Sequence, residues 1–138
     1  MGNKRMIINW ILLIAWMLLI FLMSNQPAHI SNQQSNSFIN MLAFFGIDLN
    51  SKLGSLASFV VRKTAHFTEY AVLGFFTYKA VSCDVLDRKK AVLTAQLIST
   101  GYASTDEIHQ MFVPGREGKV FDVMIDSCGA FCGIMVSL

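Results

Sequence analysis

Apolar residues crowd into four stretches of this chain, set apart by polar segments. Met6 to Met23 runs for 18 residues without a charge, close to the roughly 20 an α-helix needs to cross hydrocarbon. Thr64 to Ser82 is the second stretch and Ala91 to Thr105 the third, shorter and richer in Ser and Thr. Phe121 to Leu138 is the fourth. The pattern predicts an all-α integral membrane protein with four transmembrane helices, over about 6–23, 64–82, 91–105 and 121–138. A single domain covers residues 1–138. Between the first two stretches, Phe38, Ile39, Met41, Leu42 and Phe45 recur at helical spacing among Ser and Asn, up to Gly46. Asn50 or Ser51 is placed to cap a further helix, with Leu53, Leu56 and Val60 on one face, running on into the second span. This amphipathic segment suits either the membrane surface or a lid over a polar site.

Composition agrees with a bilayer as solvent. Hydrophobic residues make up 54% of the chain and charged residues 14%, against a charged share of roughly 25% in soluble domains. A soluble fold of 138 residues cannot hide that much apolar surface. A net charge of +2, with no basic run beyond Arg88-Lys89-Lys90, gives no footing for nucleic acid. The first stretch follows Lys4 and Arg5, but it exceeds a signal-peptide core and no A-x-A site follows. It is expected to be retained, with Pro27 ending its helix.

Four alternating spans would put Lys4, Arg5, Lys79, Arg88, Lys89 and Lys90 on one side, and Lys52, Arg62, Lys63, Arg116 and Lys119 on the other. The tight cluster from Cys83 to Lys90 decides the orientation. Both termini and that loop are expected in the cytoplasm of a bacterial cell, with the 24–62 segment and the 106–120 loop outside.

Ionisable residues rarely sit in a membrane span without a role. Here three groups from distant parts of the chain reach the same outer end: Lys63, His66 and Glu69; Asp106, Glu107 and His109; Asp122 and Asp126. Lys63, His66 and Tyr70 stand three and four apart on one helical stripe. Asp106 shares a face with His109 and Gln110. Asp122, Asp126, Gly129 and Gly133 form another stripe, and the Gly129-x-x-x-Gly133 pair offers a small surface for close helix packing. The aspartates are therefore expected to face a neighbouring helix. Asp126 lies one turn deeper than Asp122, and Asp126→Asn is expected to be tolerated.

The stretches RKTAHFTEYAVLGFF, STDEIHQMFVPGREGKVFDVMIDSCGAFCG and FLMSNQP resemble the VanZ-like family of small bacterial membrane proteins. The family pattern is Lys-x-x-His, then Glu-Tyr, Asp-Glu-x-x-Gln-x-Phe, an Arg, and Asp-x-x-x-Asn-x-x-Gly. Lys63, His66, Glu69, Tyr70, Asp106, Glu107, Gln110, Phe112, Arg116, Asp122 and Gly129 match it in order, and Asp126 stands where the family has Asn. The resemblance implies a link to teicoplanin-type glycopeptide resistance through the cell envelope, without naming an activity.

Two functional readings and one structural reading fit these residues. An enzyme acting on a lipid-linked phosphate, as hydrolase or transferase, would hold phosphate with Arg62, Lys63 and Arg116, assisted by Tyr70 and Gln110. His66 or His109 would serve as base or nucleophile beside Glu69, Asp106 or Asp122, with Glu107 as acid. A non-catalytic protein would bind a membrane lipid or lipid-linked cell-wall precursor with the same cations. In the structural reading, Lys63–Glu69 and Arg116–Asp122 pairs would hold the helices together. Arg116, after Pro114-Gly115, is expected in a wet loop where an ion pair contributes little stability. No cofactor is expected, with a divalent metal among His66, Glu69, Asp106, His109 and Asp122 the alternative: H-E-x-x-H is absent, no two His share a turn, and Asp106 and Glu107 splay about 100° apart on a helix. Cys83, Cys128 and Cys132 read as small buried hydrophobes away from the polar cluster.

Overall fold

A computed structural model describes residues 2–138, and these form helices joined by short loops, with no strand. The order is α1 (Gly2–Ser24), α2 (Ala28–Phe44), the single turn α3 (Leu49–Leu53), a 3₁₀ turn (Gly54–Leu56), α4 (Ala57–Val81), α5 (Arg88–Gln110) and α6 (Val120–Ser137). Two segments, Asn3–Ser24 and Val120–Ser137, are long and apolar enough to cross a membrane. With 25 and 23 residues, α4 and α5 extend about 37 and 34 Å at 1.5 Å per residue, but polar residues interrupt them.

Several boundaries differ from the sequence expectation. The third helix does not stop near Thr105: it runs on to Gln110. Thr105–Gln110 are polar, so an apolarity count drops them, yet the buried Asp106, Glu107 and Gln110 face the protein and not lipid. Asp48, rather than Asn50 or Ser51, caps α3, its carboxylate accepting from Ser51 N at 3.1 Å. That helix does not run on into α4, because Gly54 breaks it at φ +54°. Asp87 caps α5 by accepting from the backbone of Lys89 and Lys90. Cys128 and Cys132 are exposed on the outer face of α6, and are not buried.

Side-chain ties fix the helix directions. Trp16 Nε1 donates to Glu69 O at 2.9 Å and Asn9 Nδ2 to Lys79 O at 3.0 Å, so α1 runs antiparallel to α4. Tyr70 meets Asp106 and Ser99 meets Thr77, which sets α5 antiparallel to α4. Lys63 pairs with Asp122 at one end, and Lys79 Nζ donates to Ser137 O at 2.9 Å at the other, so α4 and α6 are parallel. Leu13, Ile20, Tyr70, Leu73, Ala80 and Ala103 form the main core. Most of the remaining α1 surface, including Ile7, Ile11, Ile14, Leu18 and Leu22, is exposed and apolar.

The tightest contact joins α4 to α6. A Cβ placed on Gly133 would lie 1.7 Å from Ala71 O, one on Gly129 2.3 Å from Phe67 O, and one on Gly74 2.1 Å from Ala130 O. Small residues from both helices thus let backbone touch backbone. Gly133→Ala is expected to lower the melting temperature in detergent, at a cost of about 1–3 kcal/mol from forced separation. Gly101 in α5 has open space around its Cβ position. Gly101→Ala should instead gain up to about 1 kcal/mol from helix propensity. Equal melting of the two variants would show that the α4–α6 contact is not the tight one.

Candidate functional site

One end of the bundle gathers the start of α4, the end of α5, the 111–119 loop, the start of α6 and the residues after α1. The i, i+3, i+4 register of a helix aims Lys63, His66 and Tyr70 of α4 along one stripe. Lys63 Nζ forms an ion pair with the Asp122 carboxylate in the first turn of α6, both side chains being partly buried. One turn deeper, Asp126 is 0% exposed. Its Oδ1 lies 3.8 Å from His66 Nδ1, and neither carboxylate oxygen has a hydrogen-bond partner in the protein. Tyr70 Oη donates to Asp106 Oδ2 at 3.2 Å, and Gln110 Nε2 donates to the same oxygen at 3.1 Å. Asp106 is 4% exposed, and its Oδ1 has no partner. Glu107 Oε2 accepts from Lys119 N at 2.9 Å, tying the end of the loop back to α5.

Two cavities share this end. The larger, about 630 Å³, is walled by apolar side chains such as Ile20, Phe38, Leu42, Val61 and Val72, and carries Arg62, His66, Glu69, Asp106 and Arg116. The smaller, about 240 Å³, is polar, with Lys63, Gln110, Lys119 and Asp122 in its lining. Ser31, Arg62, His66 and Arg116 belong to both. Helix α2 contributes Ser31, Gln34, Ser35, Phe38 and Leu42 to the larger cavity. It therefore covers the site as a wall.

Pairings differ from those the sequence suggested. Lys63 pairs with Asp122 and not with Glu69. Arg116 does not pair with Asp122. Its Nε donates to Gln26 O at 2.8 Å, and an Nη reaches Met23 O at 3.5 Å. Arg116 is half-buried, so it is not in a wet loop. Burial lowers its pKa from the ordinary arginine value, and the nearby Asp106 carboxylate opposes that shift. Arg62 donates to Asn32 Oδ1 at 2.8 Å, tethering α2 to α4. His109 lies in neither cavity. It faces α1 instead, stacked on Phe21 at 4.8 Å and 3.3 Å from Asn25 Oδ1.

The end of α1 and the polar residues after it carried no reading toward Arg116 in the sequence, yet the Met23 and Gln26 carbonyls anchor it. Trp16, in the middle of the first apolar stretch, also lines the larger cavity. The only local hint was a Ser-Asn-Gln run at the end of an otherwise apolar stretch. Among the described residues, no group of three or more His, Cys, Asp or Glu is arranged to hold a metal ion.

A family model described as VanZ/LLP1 matches residues 9–138. The chain belongs to the VanZ/LLP1 family. No curated protein and no solved structure matches it. The match takes in all of α2 to α6 and most of α1, so every residue of the polar end lies inside the family region. In this VanZ/LLP1 protein, the Asp126 carboxylate is fully buried at that end.

The Arg116 geometry makes a prediction opposite to that for a solvated loop. Arg116→Ala is expected to cost about 1–3 kcal/mol, because it leaves the partly buried Gln26 carbonyl without a donor. Arg116→Lys should recover part of that by reaching one carbonyl. Thermal melting in detergent measures both, and a melting temperature unchanged in Arg116→Ala would show that the tie to α1 contributes nothing. Asp126→Asn should keep the melting temperature within a few degrees, since the amide is near-isosteric and can donate toward His66 Nδ1. A large loss would mean that the carboxylate itself holds the fold.

Proposed function

We propose that this protein spans the bacterial cytoplasmic membrane four times and binds the phosphate-bearing headgroup of a cell-envelope lipid at its polar end. The carrying observation is that the apolar 630 Å³ cavity and the polar 240 Å³ cavity share Arg62, His66 and Arg116. Such an arrangement suits an amphipathic ligand: acyl or prenyl chain against Ile20, Phe38 and Leu42, phosphate beside the guanidinium groups, headgroup among Lys63, Lys119 and Gln110. Arginine is suited to phosphate oxygens because its planar fork donates two parallel bonds.

The four spans are α1, α4, α5 and α6. Their alternating directions put Lys4, Arg5, Lys79, Arg88, Lys89 and Lys90 at the end opposite the cavities, in accord with a cytoplasmic location for that end. The polar end then opens at the outer leaflet, with α2 between lipid and site. Occupying or altering an envelope lipid there is a route to teicoplanin-type glycopeptide resistance, which membership of the family makes the natural phenotype to assay.

A second reading is catalytic, and one observation favours it. His66 stands between the cavities and the buried Asp126, so its imidazole has a carboxylate behind it and ligand space in front. That is a workable orientation for a general base acting on water or a hydroxyl beside a lipid-linked phosphate.

Native mass spectrometry of the protein in mild detergent tests the binding reading. Wild type should retain phospholipid, and Arg62→Ala should retain it about tenfold less tightly with little change in melting temperature. The same variant should restore teicoplanin susceptibility to a host that wild type protects. Wild type free of phospholipid, or an Arg62→Ala variant that binds equally well, would overturn the reading. His66→Gln separates the two: it should keep lipid binding, and should end turnover only if the protein is an enzyme.

A further inference from the structure

The polar end of the larger cavity has an acceptor that phosphate cannot satisfy. Asp106 is 4% exposed and lines that cavity, and Tyr70 and Gln110 both donate to its Oδ2, while Oδ1 has no partner. A buried carboxylate oxygen left unpaired is costly, and a phosphate oxygen brought to it would repel. What the oxygen lacks is a hydrogen-bond donor. Glu69 lines the same cavity as a second acceptor.

Charge points the same way. The wall of that cavity carries two guanidinium groups, Arg62 and Arg116, and two carboxylates, Glu69 and Asp106. With the His66 imidazole of the same wall counted as neutral, their formal charges cancel. A phosphomonoester would bring up to two negative charges beside two carboxylates. A phosphodiester joined to an ammonium adds no net charge, and gives each pair of wall groups an opposite partner.

We infer that the ligand is a zwitterionic lipid whose phosphodiester lies at Arg62 and Arg116 and whose primary ammonium donates to Asp106 Oδ1. This deepens the lipid-headgroup reading above and rests on it. Charge-assisted hydrogen bonds to a carboxylate are among the stronger ones available to such a group. A quaternary ammonium carries the same charge but has no N–H to donate. The discrimination is therefore by hydrogen bonding, not by charge alone.

The test compares four lipids with identical acyl chains on delipidated protein, by native mass spectrometry: phosphatidylethanolamine, phosphatidylcholine, phosphatidylglycerol and phosphatidic acid. Phosphatidylethanolamine should bind about tenfold more tightly than each of the others, the value of one good charge-assisted bond. Asp106→Asn turns the free acceptor into an amide donor while its remaining oxygen can still accept from Tyr70 and Gln110. It should bring phosphatidylethanolamine and phosphatidylcholine to about equal affinity. Phosphatidylcholine or phosphatidic acid binding wild type as tightly as phosphatidylethanolamine would overturn the inference while leaving a lipid site in place. So would an Asp106→Asn variant that keeps the wild-type preference. If none of the four binds, the headgroup reading itself fails, and this one with it. Should Asp106→Asn not fold, Glu69→Gln is the second variant, expected to narrow the preference, and the wild-type comparison still decides.

Discussion

The approach of α4 to α6 governs everything at the polar end. Gly74, Gly129 and Gly133 remove the side chains that would hold the two helices apart, so carbonyls of one helix nearly touch the glycine Cα atoms of the other. Because α4 and α6 run parallel, this contact also sets their register. That register carries Lys63 to Asp122, and His66 to Asp126 one turn deeper. A spacing wider by one methyl group would lengthen both. In a lipid environment, where apolar surface gains little by leaving the solvent, such close packing is a principal source of helix association.

Around that pair the protein builds an uneven polar site. Some groups are engaged in part: Arg116 by the Gln26 and Met23 carbonyls, Glu107 Oε2 by the returning loop, Lys63 by Asp122. Other atoms are buried and unengaged: Asp106 Oδ1, Glu107 Oε1, both oxygens of Asp126, and His66 Nδ1. The engaged atoms hold the frame, and the unengaged ones leave it with unmet hydrogen-bonding capacity. Their neighbourhood is an apolar cavity and a polar one with shared walls, which is why an amphipathic ligand suits it better than a water-soluble one. Helix α2 joins this frame through Arg62–Asn32, through Ala28 N donating to Pro114 O, and through the buried Ile39, so the wall of the larger cavity is tied both to α4 and to the loop before α6.

Much of this was legible in the residues themselves. Period and apolarity gave the helical class and located the two apolar spans, because an uncharged run of that length has few other fates. The glycine stripe on α6 announced a close neighbour, and the alternation of helices brought Lys63, His66, Asp106 and Asp122 to one end. The family pattern ran through the same residues. Short-range chemistry was less legible. The end of α5 was placed too early because its last turn is polar. The cap of α3 is Asp48 rather than the residues after it.

Partners were the least legible of all. Sequence spacing offered Arg116 to Asp122 and Lys63 to Glu69, since opposite charges close in the chain are the natural first guess. Packing decided otherwise. The register of α4 on α6 spends Asp122 on Lys63, and the last turn of α1 and the residues after it offer Arg116 two carbonyls that no count of charges reveals. His109 shares a helix with Asp106 but leaves the cluster, as the α1 side of α5 carries Phe21 and Asn25. The chain's own pattern therefore determined which segments are helical and which end is polar, because both follow from local periodicity and alternation. Only the tertiary structure decided which polar atoms are satisfied and which face the cavities, because that depends on ångström-scale distances between helices far apart in the chain.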